Sequence, residues 1–82
     1  MADPIRIDTP DALSGFLLVQ KLEPLGAEVR GADGDRWQVE LHPARAQGRL
    51  DEVLAAVRRW LDEQQLESTT VHVDGVPRVV ER

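Results

Sequence analysis

The chain has 82 residues with 15 acidic and 10 basic side chains, giving a net charge of −5. That is room for one domain spanning residues 1–82, which on folding hides only about 60% of its unfolded surface. Cysteine is absent, which excludes a disulfide framework, a thiolate metal site and a thiol nucleophile together. A net negative charge repels a phosphate backbone, so nucleic acid is not an expected partner.

The opening Met-Ala-Asp-Pro places an acid and a proline where a signal peptide needs a basic residue and then an apolar run. The apolar stretch of residues 16–19 is far too short to span a bilayer. A cytoplasmic protein without membrane contact is expected. Lys21 is the one lysine, and asparagine and tyrosine are missing, a codon bias expected of a GC-rich bacterial genome.

Ile5-Arg6-Ile7-Asp8 alternates with period two, predicting a half-buried strand. Thr9-Pro10 reads as a helix start, with Thr9 as cap, and the helix is expected to run to about Leu22 before Pro24 and Gly26 stop it. Residues 27–30 and 36–41 flank a turn containing Asp33-Gly34, predicting a β-hairpin whose second strand sends Trp37, Val39 and Leu41 to the core. Pro43 ends that strand and a polar loop follows to Gly48. The second helix is the clearest element, because Leu50, Val53, Leu54, Val57, Trp60 and Leu61 make one stripe. A strand over 70–73 follows, and Asp74-Gly75 turns the chain toward a last short strand, Arg78 to Val80, which Pro77 confines to an edge. The order β-α-β-β-α-β, with an extra C-terminal edge strand, predicts an α+β fold of the ferredoxin-like, split β-α-β type. Its two helices would pack on one face of an antiparallel sheet.

Strand parity sends Arg6, Asp8, Gln38, Glu40, His42, His72 and Asp74 to the open face. RNA-binding sheets of this kind stack bases on aromatic rings, and this set carries only two histidines among several acids. His42 and His72 are the residues a metal ion would use, but their strands should stand about 9–10 Å apart, two strand spacings. Two solvated histidines explain the same residues, so no metal or other cofactor is expected. Ser14, Ser68, Thr69 and Thr70 lie in no nucleophile motif, and no glycine-rich phosphate loop is present. The chain is not expected to be an enzyme.

The first helix is apolar nearly all round, more than a helix on one side of a sheet requires. On the wheel Leu13, Phe16 and Leu17 define one side, while Leu18 and Leu22 fall roughly 100–180° from Leu13. The surplus marks Leu18 and Leu22, with Phe16 and Val19, as a candidate interface for a protein partner or a second copy.

The segment IRIDTPDALSGFLLVQKLEPLGAEV, about a third of the chain, resembles the opening of ACT domains, small regulatory modules of this fold class. Their pattern is a strand, Asp-x-Pro-Gly-x-Leu, a helix, then Leu-Gly-x-Asn-Ile. Asp8, Pro10, Leu13 and the Leu25-Gly26 pair match it. Asp11 stands where the family has glycine and Glu28 where it has asparagine, and a side chain at the glycine position obstructs the close approach of a ligand to the backbone. The resemblance implies dimerisation and an effector site near Asp8, Thr9 and Asp11. The leading expectation is a non-enzymatic accessory or regulatory module acting through protein contacts. The alternative is a sensor of a small polar metabolite at the first strand–helix turn.

Overall fold

A computed structural model of the 82-residue chain describes residues 4–31, 37–42 and 48–82. In chain order it contains β1 (Ile5–Thr9), α1 (Ala12–Lys21), a 3-10 turn (Glu23–Leu25), β2 (Glu28–Gly31), β3 (Trp37–Leu41), α2 (Leu50–Glu63), β4 (Ser68–Val73) and β5 (Val76–Glu81). The strands form one sheet in the order β2-β3-β1-β4-β5, and every neighbouring pair is antiparallel. The described residues therefore form a small α+β domain, one antiparallel five-strand sheet with two helices.

Alternation decides which face each strand buries. Ile5, Ile7, Val39, Leu41, Val71 and Val80 join Leu18 of α1, Leu22 at its C-cap, and Val53, Val57, Trp60 and Leu61 of α2 in one core. Trp60 is fully buried, and its indole N–H donates to the Ser14 carbonyl at 2.8 Å, tying α2 to the first turn of α1. At the other end of α1, Lys21 Nζ lies 2.6 Å from a Glu63 carboxylate oxygen of α2.

Three expectations about α1 are corrected. Its N-cap is Asp11, whose Oδ1 accepts from the Ser14 N–H at 2.7 Å, and Thr9 instead ends β1. The helix begins at Ala12 and not at Pro10, while its end is as expected: it runs to Lys21 with Leu22 as C-cap, and the chain passes through the 3-10 turn to Gly26, whose φ of 72° suits glycine. Most consequential, Leu18 and Leu22 are buried in the core and cannot form an outward interface. The side of α1 that meets the sheet carries Ser14, Gly15, Leu18 and Leu22, so the surplus apolar side chains are Leu13 and Phe16. Gly15 lies on this close-packed side: a Cβ there would stand 3.4 Å from both Thr9 Oγ1 and a Val29 methyl, room for a methyl but for nothing larger.

Trp37 has core parity, as expected, yet it is 36% exposed. It pairs with Thr9 on one side and Gly31 on the other at the last rung of the sheet, and its ring lies against Gly31. The hairpin turn and the loop after Pro43 fall largely outside the described residues.

At the C-terminus the expected short strand is longer. Asp74 and Gly75 have φ of 53° and 77°, the paired positive values that a two-residue type I′ turn requires. That turn pairs Val73 with Val76, so the next pair, His72 with Pro77, turns its backbone groups away from each other. Proline therefore removes no bond from the β4–β5 ladder, and β5 extends through it to Glu81. β4 likewise begins earlier than expected, at Ser68.

Candidate functional site

The open face of the sheet is a polar surface arranged in two rows by register. One row runs Glu28, Glu40, Arg6, His72 and Pro77 across the five strands; the next contains Arg30, Gln38 and Asp8. Glu40 is gripped from both sides: Oε1 lies 3.2 Å from Arg6 Nε and Oε2 2.8 Å from Arg30 Nε. Arg30 also reaches Glu28 at 3.2 Å. The Asp8 carboxylate accepts from the Gln38 amide at 2.7 Å through Oδ1, and His72 Nε2 stands 3.4 Å from Oδ2. The basic groups of this face are thus committed to neighbouring acids, and with its exposed ion pairs the arrangement contributes little to stability.

The histidine face does not bring its members together as a ligand set. Register places His72 level with Arg6 and Glu40, while His42 lies beyond the end of β3. Among the described residues no group of three or more histidine, aspartate or glutamate side chains is placed to hold a metal ion. His72 is instead oriented by Asp8.

The first strand–helix turn is occupied by its own hydrogen bonds. Asp11 caps α1, Thr9 Oγ1 is 3.1 Å from the Trp37 carbonyl and 3.3 Å from that of Asp11, and the Thr69 hydroxyl donates to the Asp8 carbonyl. Of the three residues named for this turn, Asp8 and Thr9 line an open concavity of about 330 Å³ with Ser68, Thr69, Thr70 and Val79. Asp11 is outside its lining, with its carboxylate directed to the helix start.

Among the described residues, the large apolar side chains that remain exposed divide into two groups. Leu13, Phe16 and Trp37 are 70%, 57% and 36% exposed, and all lie where β1 passes into α1, on the helix-bearing side of the sheet. Val76 and Val79, 56% and 69% exposed, lie on β5 at the sheet edge. Val19, also named as an interface residue, is half-buried against the core. Sequence reasoning placed Phe16 in the interface, left Leu13 out of it although it lies on the same side of the helix, and assigned Trp37 inward. The usable signal was the pair Ser14-Gly15: two small residues on one side of a helix mark where it approaches another layer closely.

Comparison with protein-family models, curated proteins and solved structures returns no match. The class that fold and surface define is a small α+β domain with a self-satisfied polar sheet face and an apolar end beside α1. No helix among the described residues is long and apolar enough to cross a membrane.

Proposed function

We propose that this chain is a non-enzymatic accessory or regulatory module that acts by protein contact, docking through the end face formed by Leu13, Phe16 and Trp37. The observation that carries the reading is the exposure of a leucine, a phenylalanine and a tryptophan at one end of a domain whose core already holds its own leucines. Aromatic side chains that keep contact area at small entropic cost are typical anchors of interfaces. On the opposite face Arg6, Arg30, Glu28, Glu40, Asp8 and His72 pair among themselves, and its described residues form no basic track. A ferredoxin-like, split β-α-β unit extended by β5 is the fold assignment we favour: β3 separates β1 from β2, and β1 separates β3 from β4. We place the module in the cytoplasm, with a protein as partner, no cofactor and no nucleic acid.

The test is capture from a lysate of the source cell with the immobilised wild type and with Leu13→Glu/Phe16→Glu. Both positions are exposed, so the variant keeps the wild-type circular dichroism. Proteins retained by the wild type and lost with the variant are expected; an unchanged retained set overturns the reading.

The concavity beside Asp8 favours one second reading, a sensor of a small polar metabolite. A carboxylate and several hydroxyl-bearing side chains line it. A ligand held at one hundred times its dissociation constant stabilises by about 2.7 kcal/mol, which in a domain this small is a rise of several degrees in Tm. A thermal-shift screen of amino acids and nucleotides with no rise removes it.

A further inference from the structure

We infer that β5 is a self-complementary edge at which two copies of this chain pair antiparallel about Val79, joining their sheets into one. The surface is distinct from the Leu13/Phe16/Trp37 face and does not depend on it. β5 ends the sheet, and the ladder to β4 fixes which of its backbone groups point outward. Val76, Arg78 and Val80 bond to β4, in register with Val73, Val71 and Thr69, and the Arg82 N–H continues the series to the Glu67 carbonyl. Pro77, Val79 and Glu81 therefore turn their backbone toward the edge.

A second β5 laid antiparallel with Val79 facing Val79 satisfies this edge. Each Val79 N–H meets the Val79 carbonyl of the other copy, and each Glu81 N–H meets the Pro77 carbonyl. Pro77, which has no N–H, would accept only. The same register places the two Val79 side chains together, and Val79 is a 69% exposed valine on the mainly polar open face. Cross-strand β-branched pairs of this kind stabilise a sheet. Charge selects the register. Centred on Val79, Arg78 faces Val80 and Glu81 faces Pro77, so no like charges oppose. A shift of one residue, centring the pair on Val80, sets Arg78 against Arg82 of the other copy and is disfavoured. The twofold arrangement is closed, so it ends at a dimer and does not propagate.

The occupant is a second copy because the edge completes itself: the strand supplies its own donors, its own acceptors and its own apolar contact. The opposite edge, β2, is a strand of only 4 residues against 6 in β5, and a very short edge strand is one of the ways native sheets discourage pairing.

Light scattering across a concentration series, combined with amide hydrogen exchange, tests the proposal on the full chain. The expected result is a mass approaching twice 9.2 kDa, with the Val79 and Glu81 amides protected at high concentration and exchanging quickly on dilution. Val79→Lys is expected to give a folded monomer. Val79→Pro, which removes the outward N–H and spares the ladder to β4, is expected to do the same. A 9.2 kDa particle at every concentration with a fast-exchanging Val79 amide overturns the proposal. So does a dimer that survives both Val79 variants. A dimer dispersed only by Leu13→Glu/Phe16→Glu also overturns it, and would assign self-association to the α1 face.

Discussion

Trp60 has no exposed surface, and its indole N–H ends on the Ser14 carbonyl at 2.8 Å. Trp60→Phe keeps an aromatic body there but gives up that bond, so stability should fall by about 1–2 kcal/mol in urea unfolding. An unchanged midpoint would mean the bond contributes nothing. Gln65 illustrates the opposite situation. Its φ of 56° places a side chain in the left-handed region at the end of α2. There the Leu66 N–H bonds the Leu61 carbonyl and the Gln65 N–H bonds that of Asp62, the pattern of a Schellman cap. Glycine is the usual occupant of that position. Gln65→Gly should raise stability by roughly 0.5–1 kcal/mol, the left-handed strain removed less the added entropy of the unfolded chain. A lower urea midpoint for this variant would contradict the assignment. Asp11 is the side-chain cap of α1, and Asp11→Ala should cost about 1 kcal/mol by the same assay.

Among the elements, α2 was the most legible in the sequence, while of the β4–β5 hairpin only the turn was, both strands proving longer than expected. The apolar stripe of α2 repeats at helical spacing over four turns and leaves one choice of buried face. The Asp74-Gly75 pair specifies a turn chemically, and once the turn fixes the register, Pro77 falls where its missing N–H costs nothing. The first helix was misread because an almost wholly apolar surface has no preferred face by hydrophobicity alone. Size decides instead: Ser14 and Gly15 let the helix approach β1 and β2, and Leu18 and Leu22 follow them inward at spacings of three and four. The added methyl of Gly15→Ala meets Thr9 and Val29 at 3.4 Å, an ordinary contact. The helix gains propensity without a clash, and the variant should be more stable by about 0.5–1 kcal/mol. A lower melting temperature would show that α1 sits closer to the sheet than described. Of the candidate site, the parity of the open face was legible, but the pairing of Asp8 with Gln38 and His72 needed the order of the strands.

For the molecule as a whole, the two tryptophans divide the roles of interior and surface. Trp60 is sealed between helices, whereas Trp37 stands at the end of the sheet beside the exposed Leu13 and Phe16 side of α1. Domains this small gain stability margins of only a few kcal/mol, so exposed aromatic area at one end calls for an explanation outside the fold. The most direct test of the contact account places a photoreactive benzophenone side chain at Phe16 in living cells. A control carries the same group at Arg58, exposed on the outer side of α2. Irradiation should yield a discrete covalent adduct with another protein from position 16 and none from position 58. No adduct from position 16, or the same adducts from both positions, would contradict the contact account.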